Sequence, residues 1–263
     1  MTSNRAQDAG VAAAAERPAS PPNGQRTVSA VLPAYNEAEN LPGLLRDLAR
    51  VLPAVAGDYE IIVVDDGSTD ATPQVVSRAQ QADTHVRHVR HAANQGYGAA
   101  LASGFQAAVH DLIFLTDGDH QFDVSEIRLL LRELEAGADF AIGYRARRQD
   151  HLLRRLNGWG WNLLVRLLFG YTARDVDCAF KLFPRSAVAQ GLPRSRGAAF
   201  SAEFLVRARR RGYRISEVPV THLPRRAGRA TGARPSVILR AFREILRVWW
   251  ELRRDPAAVP RPG

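Results

Sequence analysis

Two aspartates and a glutamine directly follow a short apolar run, and their types and spacing favour cation binding. Asp117, Asp119 and Gln121 come after residues 112–115, which read Leu-Ile-Phe-Leu. Hard oxygen ligands in such a short loop can hold Mg²⁺ or Mn²⁺ and leave coordination positions open for a diphosphate. A cation there would offset the charge that builds on a departing diphosphate. The competing interpretation, a helix N-cap, is the one we adopt for Asp123 but not for Asp117 or Asp119.

A second acidic cluster follows the apolar run 61–64. Asp65 and Asp66 stand side by side at its end, and Ser68 and Asp70 come next. Adjacent carboxylates at a strand end can accept hydrogen bonds from a base edge and from ribose hydroxyls, or can support a metal site. We assign Asp70 to helix capping. A capping turn does not need both Asp65 and Asp66, so we predict that these two contact a nucleotide.

The glycines after residue 94 match a dinucleotide-binding fingerprint only in part. Gly96 and Gly98 have the right spacing, but Leu101 stands where the third glycine belongs. The segment also belongs to the third strand–helix unit rather than to the first, where the fingerprint occurs. We therefore predict that Gly96 and Gly98 let the start of a helix pack closely against the sheet or a pyrophosphate.

The elements that must position these residues alternate between strand and helix patterns. Apolar, β-branched runs predict strands, and segments with a helical apolar period predict helices. The predicted strands are 28–34, 60–64, 85–89, 112–116 and 140–143, and the predicted helices are 41–52, 72–81, 99–109 and 125–136. This alternation predicts an α/β fold with a mostly parallel central sheet flanked by helices. The polar clusters would then line the carboxyl edge of the sheet, where ligands bind.

Beyond Arg145 the alternation loosens. The predicted elements there are helices over 151–170, 201–211 and 235–253, and a strand over 215–220. Trp159 and Trp161 lie among arginines in the first of these helices, and the last carries a stripe that includes Ala241 and Ile245. Such patterns suit a helix that lies in a membrane interface with its arginines toward the headgroups. For the last helix, packing on the core is the alternative.

Composition narrows the class of protein. The chain has 263 residues, a formal charge of +9 and a single cysteine, Cys178, so no intramolecular disulfide can form and a cytoplasmic location is expected. Residues 1–26 lack the apolar core of a signal peptide and predict a disordered tail. No run of about 18 uninterrupted apolar residues predicts a membrane span. Because Lys181 is the only lysine, the excess of arginine reflects a compositional bias, and positions matter more than the total charge.

Five motifs together resemble family 2 glycosyltransferases of the GT-A fold, and within them dolichyl-phosphate mannosyltransferases and related polyprenyl-phosphate glycosyltransferases. The motifs are Pro33-Ala-Tyr-Asn-Glu37, Asp65-Asp-Gly-Ser-Thr-Asp70, Asn94-Gln-Gly-Tyr-Gly98, Asp117-Gly-Asp-His-Gln121 and Gly143-Tyr-Arg145. The resemblance runs from about Val28 to Arg234. Ala179 and Ala230 depart from the common pattern, and the C-terminal transmembrane pair of some members is missing from the sequence. These departures bear on the predicted acceptor and subgroup, not on the predicted binding of the donor.

The resemblance implies a role for each matching residue. Base and ribose would be held by Pro33, Tyr35, Glu37, Val64 and Asp66. Metal and diphosphate would be held by Asp117, Asp119 and Gln121, and donor or acceptor phosphates would be met by Arg145, Lys181 and Arg225. Asp65 and Gly118, which belong to the same clusters, complete the predicted nucleotide-sugar site. The predicted catalytic residues are Asp119, Lys181 and Arg225. For Lys181, a partly exposed lysine on a loop is the alternative.

The chemistry of the acceptor decides whether a base is needed. A lipid phosphate already carries negative charge, whereas a hydroxyl needs deprotonation. Asp175, Asp177 and Glu203 are the candidate carboxylates beyond the metal loop. For Glu203, an ion pair with Arg207 on the helix surface is an equal alternative. Arg225, in a loop with further arginines and glycines, is expected to close over a bound phosphate.

These expectations describe a metal-dependent, inverting enzyme with Mg²⁺ or Mn²⁺ as cofactor. Its donor would be of the GDP-mannose or UDP-glucose type, and its acceptor a polyprenyl phosphate at the cytoplasmic face of a membrane. No nucleic-acid module accompanies the charge, so we expect no nucleic-acid partner. The predicted organisation is a tail over 1–26, a catalytic domain over 27–233, an amphipathic basic helix over 234–254 and a flexible tail over 255–263. The alternatives are a hydroxyl acceptor, or a silent membrane-associated binding protein.

Overall fold

The computed structural model describes residues 26–146, 152–225 and 235–254. Apart from Arg26, the predicted tails over 1–26 and 255–263 lie outside these ranges. So do the loop residues that follow Arg225, including Ala230 and the neighbouring arginines.

Seven strands form one sheet within the described ranges. They are β1 (Thr27–Ala34), β2 (Asp58–Asp65), β3 (Val86–Arg90), β4 (Leu112–Leu115), β5 (Phe140–Arg145), β6 (Lys181–Pro184) and β7 (Ile215–Val220). Their order is β3-β2-β1-β4-β6-β5-β7. All pairs are parallel except those of β6, which runs antiparallel to β4 and β5. The predicted mostly parallel sheet is confirmed.

The helices cover both faces of the sheet. They are α1 (Leu41–Val51), α2 (Thr72–Ala82), α3 (Tyr97–Ala107), α4 (Ile127–Glu135), α5 (Leu152–Phe169), α6 (Ser186–Ala189), α7 (Ala199–Arg210) and α8 (Pro235–Arg254). The apolar run of β2 shows why both faces need cover. Ile61 and Val63 belong to one core cluster and Ile62 and Val64 to the other, so this strand is buried on both sides.

Strand β6 was not predicted from the sequence. It has only four residues, Lys181–Pro184, and a lysine and a proline stand at its ends. Pairing with β4 and β5 places it inside the sheet, and Lys181 is 1% exposed. The alternative of a partly exposed lysine on a loop is therefore wrong.

The glycines at the start of α3 do not pack against the sheet, which is one of their two predicted roles, and the other, contact with a pyrophosphate, stays a prediction. A Cβ on Gly98 would lie 2.8 Å from backbone atoms of Ser195 and Arg196, and one on Gly96 would lie 2.8 Å from the carbonyl oxygen of Arg196. Both glycines thus let α3 begin against the segment that precedes α7, not against the sheet. Close packing on the sheet is instead made by Gly104, where a Cβ would lie 2.4 Å from Cγ1 of Val31.

Helices α5 and α8 each have a buried and an exposed apolar face. On α8 the predicted stripe packs on the core, because Ala241 and Ile245 are buried. On α5, Trp161 is also buried, while Trp159 is 64% exposed, so the two tryptophans do not share one face. Among the described residues, no helix has the length and apolarity needed to cross a membrane.

Candidate active site

The carboxyl ends of β1, β2 and β4 bring the acidic motifs to one crevice. Strand β1 lies between β2 and β4, and the strand order diverges there, because β3 follows β2 toward one edge of the sheet and β5 follows β4 toward the other. Such a switch point in the strand order is where open α/β sheets bind ligands. The end of β1 meets the loop after β4 at Gly118, whose amide donates to the carbonyl oxygen of Pro33 at 3.2 Å. A Cβ at Gly118 would lie 2.9 Å from that oxygen, so the close approach requires glycine.

The loops after β1 and β2 are joined by Asn36. Its backbone amide donates to Oγ of Ser68 at 2.9 Å, and its side-chain oxygen accepts from the amide of Thr69 at 2.8 Å. Asn36 has a φ of 58°, a left-handed conformation that Asn tolerates better than most residues. The neighbouring Tyr35 is 36% exposed and lies at the rim of the crevice.

Asp65 and Asp66 organise the loops around them. The amide of Ser68 donates to Oδ1 of Asp65 at 2.8 Å. Asp66 accepts from the amides of Gln95 and Gly96, each at 2.9 Å, and its Oδ1 lies 2.7 Å from Nδ1 of His91. Both carboxylates are buried, so in this structure they hold loops rather than face solvent. Their predicted contact with a nucleotide stays a prediction.

One oxygen of Asp65 is a buried acceptor with unused capacity. Oδ2 accepts no hydrogen bond from the described residues, although Nε of Arg90 lies 3.3 Å away. An unsatisfied buried acceptor is uncommon in folded proteins. Val64, the residue before it, is fully buried under α3, and its side chain contacts the core rather than the crevice.

Asp117 and Asp119 lie in the loop after β4, and their charges repel each other. Burial, and then the charge of Asp119, raise the pKa of Asp117 to about 7. The hydroxyl of Tyr97 donates to Oδ1 of Asp117 at 2.9 Å. Burial and this carboxylate raise the pKa of Tyr97 well above its ordinary value, so Tyr97 keeps its proton and remains a donor. No sequence pattern signals this contact directly, although Tyr97 stands inside the glycine motif.

Arg225 lies across the crevice and bridges two carboxylates. Its Nη2 donates to Oδ2 of Asp119 at 2.6 Å and its Nη1 to Oε1 of Glu37 at 3.2 Å. Burial raises the pKa of Glu37 in spite of Arg225 and of Asn40, which donates to Oε2 at 2.6 Å. Nε of Arg225 is buried and finds no hydrogen-bond partner in the part of the chain that the structure describes. The structure thus brings together three of the predicted site residues.

Gln121 fastens the segment that carries Arg225. Its side-chain Nε2 donates to the backbone carbonyl oxygen of Leu223 at 3.0 Å, and its backbone carbonyl oxygen accepts from the backbone amide of Leu223 at 2.8 Å. An isolated bridge pairs Phe122 with His222 beside it. Because the amide nitrogen of Gln121 is used in this way, its Oε1 is the atom left to face a cation.

A second polar cluster, which we call the buried cluster, lies close enough to Asp117 to act on its charge and consists of Arg145, Asp175 and Lys181, with the exposed Asp177 beside them. Arg145 donates from Nε and Nη2 to the two oxygens of Asp175, at 2.7 and 2.8 Å. Nε1 of Trp161 donates to Oδ1 of Asp177 at 3.1 Å. Desolvation, and then the charge of Asp175, raise the pKa of Asp177 to about 6.

Lys181 completes the buried cluster through backbone contacts. Its ammonium group donates to the carbonyl oxygen of Val176 at 3.2 Å and to that of Cys178. Burial lowers the pKa of Lys181, while the carboxylates nearby oppose this shift. In this arrangement the charges of Lys181 and Arg145 act on Asp117 and oppose the rise of its pKa, although their hydrogen bonds go to Asp175 and to backbone oxygens. Their predicted contact with phosphate stays a prediction.

Glu203 and the capping residues also have clear positions. Glu203 forms the predicted ion pair with Nε of Arg207 at 2.7 Å, but the pair is not on the helix surface, since Glu203 is 0% exposed. Its oxygens also accept from Ser195, whose loop folds over α7. Asp123 accepts from the amide of Ser125 at 3.0 Å, as its predicted capping role requires. Asp70 accepts from the amide of Thr72, the first residue of α2, at 2.9 Å.

The carboxylates after β4 fit a divalent cation that also binds a diphosphate. No group of three or more His, Cys, Asp or Glu side chains is placed to hold a metal among the described residues. A cation bound by few protein ligands usually keeps its other positions for water and substrate phosphates, as Mg²⁺ does. Burial, and then the charge of Asp119, raise the pKa of Asp117, so a divalent cation beside the two carboxylates would stabilise their charged form. Asp117 and Asp119 therefore fit a divalent cation as its ligands.

The fold and the crevice define a class, the GT-A nucleotide-diphospho-sugar transferases. A family profile described as Glycosyl transferase family 2 matches residues 29–192, and the chain belongs to this family. The resemblance seen in the motifs is thereby confirmed.

Two curated relatives are similar over most of this chain. Glycosyltransferase AglD of Haloferax volcanii is 34% identical over 256 residues, which cover 93% of this chain and 40% of that protein. Undecaprenyl-phosphate 4-deoxy-4-formamido-L-arabinose transferase of Salmonella choleraesuis is 32% identical over 207 residues, which cover 77% of this chain and 62% of that protein. The chain thus spans less than two thirds of the length of either relative.

Solved structures share the fold at low sequence identity. Glucosyl-3-phosphoglycerate synthase from Mycobacterium tuberculosis, in complex with phosphoglyceric acid, superposes with a TM-score of 0.69 at 20% identity, covering 90% of this chain and 82% of that one. Its complex with Mn²⁺, uridine diphosphate and phosphoglyceric acid gives a TM-score of 0.67 at 19% identity, over 85% of this chain and 78% of that one. This likeness confirms the predicted fold class.

Proposed function

We propose that this chain is a metal-dependent, inverting glycosyltransferase that moves a hexose, mannose or glucose, from a nucleoside-diphosphate sugar to a polyprenyl phosphate. The observation that carries the proposal is the pair Asp117 and Asp119 at the switch point of the sheet, with Arg225 bonded to Asp119 at 2.6 Å. The name of the Salmonella relative, an undecaprenyl-phosphate transferase, supports the acceptor class. We place the reaction at the cytoplasmic face of a membrane.

The donor diphosphate would bind in the crevice between β1 and β4. Asp117, Asp119 and Oε1 of Gln121 would hold Mg²⁺ or Mn²⁺, a choice of metals that agrees with the Mn²⁺ and uridine diphosphate in the mycobacterial complex. When bound, the cation supplies positive charge to the leaving diphosphate. Tyr97 would keep Asp117 oriented through its hydrogen bond to Oδ1.

The nucleoside would lie toward β2 and the rim. Tyr35 has an exposed ring that could cover a base or ribose, and Glu37 lies beside it on the same loop. The unused Oδ2 of Asp65 is an acceptor suited to an N–H of a base. GDP and UDP donors both offer such a group, so we propose the class of donor and leave the base to experiment.

Arg225 would change partners during the reaction. Its guanidinium is held by Glu37 and Asp119, and its Nε lies buried without a partner among the described residues. Arg225 would release Asp119 as the donor binds and turn its fork to phosphate oxygens, for which guanidinium geometry is well suited. This exchange would link donor binding to the placement of a phosphate.

A phosphate acceptor agrees with the state of the nearby carboxylates. Asp175 is paired with Arg145, Asp177 accepts from Trp161, and Glu203 is paired with Arg207. Asp175 and Glu203 cannot take a proton from an acceptor hydroxyl without giving up an arginine, whereas Asp177 uses only Oδ1 in the hydrogen bond with Trp161 and is the carboxylate that an undecaprenol acceptor would test. An oxygen of the acceptor phosphate would attack the anomeric carbon from the face opposite the leaving group. The bond from that carbon to the diphosphate oxygen breaks, and the nucleoside diphosphate leaves with the electron pair.

The surface that would meet the membrane is an apolar ridge on two helices. We define the apolar ridge as the exposed side chains Trp159, Leu163 and Leu167 of α5 and Leu239, Phe242, Leu246 and Trp250 of α8. The two helices contact each other where the rings of Trp161 and Phe242 meet edge to face at 5.9 Å. Exposed arginines flank the ridge, including Arg240 and Arg247. Apolar side chains between arginines suit a surface of anionic lipid.

Liposome sedimentation tests the membrane proposal. Leu246→Gln should weaken binding to phosphatidylglycerol-containing vesicles about threefold to tenfold, since a leucine contributes roughly 1 kcal/mol when its exposed part is buried in lipid. Val109→Gln is the matched control, because Val109 is 61% exposed but lies outside the ridge. Equal sedimentation of wild type with and without vesicles would contradict the proposal.

Product analysis tests the reaction itself. The chain would be incubated with Mg²⁺ or Mn²⁺, a panel of GDP- and UDP-hexoses, and either undecaprenyl phosphate or undecaprenol as acceptor. Mass spectrometry should find a hexosyl phosphoryl polyprenol only with the phosphate acceptor, and none in excess chelator. A product from undecaprenol, or full activity in chelator, would contradict the phosphate acceptor or the metal respectively.

A further inference from the structure

His120 occupies a left-handed backbone conformation between two predicted metal ligands. Its φ is 55°, and among the described non-glycine residues only Asn36 shares a positive φ. Residues with a Cβ adopt this region sparsely, and they keep it when surrounding contacts enforce it. A strained residue between Asp119 and Gln121 therefore calls for a contact that holds it.

That contact is made with α1. Nε2 of His120 lies 3.0 Å from Oδ2 of Asp47, and the histidine is 9% exposed. The other oxygen of Asp47 accepts from Nη2 of Arg50 at 3.0 Å. The side chain of Arg50 is 77% exposed, so Asp47 joins a buried ring on one side to a solvated arginine on the other.

A glycine inside α1 makes room for the same ring. Gly43 lies in the first turns of α1, where glycine is less favourable than alanine. A Cβ at Gly43 would lie 3.0 Å from Nδ1 of His120 and 3.1 Å from Cε1. Two residues of α1 thus accommodate His120. Asp47 forms a hydrogen bond with its ring, and Gly43 leaves room for the ring.

The turn at His120 decides where its neighbours point. On one side Oδ2 of Asp119 meets Arg225 at 2.6 Å, and on the other Nε2 of Gln121 meets the carbonyl oxygen of Leu223 at 3.0 Å. A right-handed or extended residue at 120 would change the direction of the chain between these two contacts. The conformation of His120 thus fixes the relative orientation of Asp119 and Gln121.

We infer that His120, anchored by Asp47 and seated against Gly43, is a positioning residue that sets the geometry of the cation-binding loop. The inference rests on the proposed metal-dependent function and assigns to α1 a part in it. His120 needs no contact with the cation or the substrate for this role. Groups that orient metal ligands from behind typically change metal affinity by about 10-fold to 100-fold when removed.

Mn²⁺ binding measured by electron paramagnetic resonance tests the inference without relying on turnover. Purified protein would be titrated with MnCl₂ in the presence of UDP and, separately, of GDP. Asp47→Ala should weaken Mn²⁺ binding roughly tenfold. Arg50→Ala, which removes the other partner of Asp47, should leave the affinity within about twofold of wild type, because an exposed ion pair contributes little.

Gly43→Ala separates positioning from general loss of stability. Alanine favours the helix and should not lower the melting temperature measured by circular dichroism, but its methyl group, 3.0 Å from Nδ1 of His120, should press the ring away from its present position. Mn²⁺ affinity should therefore fall although the fold is as stable as wild type. A merely structural role for His120 predicts instead that affinity follows melting temperature.

The outcomes separate the inference from the proposed function. Wild-type Mn²⁺ affinity in both Asp47→Ala and Gly43→Ala, with normal binding by the parent protein, would overturn the role of His120 alone. A parent protein that binds no Mn²⁺ with either nucleotide would contradict the proposed metal dependence and, with it, this inference.

Discussion

The crevice and the buried cluster hold similar charges in different ways. In the crevice, Asp119 and Glu37 are bridged by one guanidinium, that of Arg225, whose side chain is 21% exposed. In the buried cluster, Asp175 is bonded by both arms of Arg145, and Lys181 is bonded to backbone carbonyl oxygens. The carboxylates of the crevice are thus held by one side chain at a loop. The charges of the buried cluster are held by groups fixed in the sheet and its turns.

This difference separates residues that can exchange partners from residues that cannot. Releasing Arg225 from Asp119 frees two groups that a cation and a phosphate could satisfy at once. Releasing Arg145 from Asp175 would leave two charges inside the protein with no replacement. We therefore expect substitutions in the crevice to change activity at unchanged stability, and substitutions in the buried cluster to change stability first.

Asp119→Ala should give the largest effect. We expect transfer to fall by about 100-fold or more, because removing a group that stabilises a developing charge has an effect of this order. The melting temperature should stay near that of wild type, since the carboxylate is bonded to a side chain that can turn to solvent. Steady-state transfer and a circular dichroism melt measure the two quantities. Activity close to wild type would place the cation elsewhere.

Asp175→Ala should instead unfold the protein more easily. It leaves Arg145 buried without its bidentate partner, which destabilises by about 3 kcal/mol or more. Urea unfolding followed by tryptophan fluorescence measures the change. Arg247→Ala is the control, because it removes a half-exposed pair with Glu251 at 3.7 Å and should change stability by less than about 1 kcal/mol. Similar stabilities for the two variants would end the distinction between the regions.

Arg225→Ala should reduce transfer about thirtyfold. A charge-assisted contact to a phosphate contributes roughly 2 kcal/mol where water is excluded. Arg225→Lys should recover only part of the rate, because lysine keeps the charge but loses the fork. Kinetics of both variants, with melting temperatures beside them, test the exchange. Wild-type rates in both would make Arg225 an ordinary surface arginine.

Asp177→Asn should give the smallest effect, visible in how stability depends on pH. Desolvation raises the pKa of Asp177 to about 6, so the folded protein keeps a proton that the unfolded chain, with a pKa of about 3.9, has lost. Between these values the folded state binds more protons, so the stability of wild type falls as pH rises. Because Asp177 is exposed and water screens its interactions, the variant should lose only on the order of 1 kcal/mol less over this window. If the free energy of unfolding in urea depended on pH equally in the variant and in wild type, the raised pKa of Asp177 would be contradicted.

Most of the fold could be predicted because its strands are strong local signals. The β-branched runs of β1 and β2 predict strands by composition alone, and alternation with helices predicts parallel pairing. Strand β6 could not be found in this way. Its four residues begin with Lys181 and end with Pro184, and what makes them a strand is the pairing with β4 and β5.

The sequence predicts which residues belong to the candidate site but not which of them contact each other. Strand ends indicate that Asp65, Asp66, Asp117 and Asp119 share one edge. The bridge from Arg225 to Glu37 spans 188 residues of sequence, and no local pattern reports which carboxylate an arginine will meet. Lys181 shows the same limit, because its rarity indicates a special role but not the backbone oxygens that it meets in the sheet, and its contact with phosphate stays a prediction.

A crystal structure with Mg²⁺ and a nucleoside diphosphate would show whether Asp117 and Asp119 bind the cation that carries the diphosphate. Oxygens of Asp117 and Asp119 should lie within about 2.1 Å of the cation, with the diphosphate completing its coordination shell. Arg225 should have left Asp119, while the bidentate pair of Arg145 and Asp175 should be unchanged. Arg225 still bonded to Asp119, with the nucleotide and metal bound elsewhere, would contradict this role of Asp117 and Asp119.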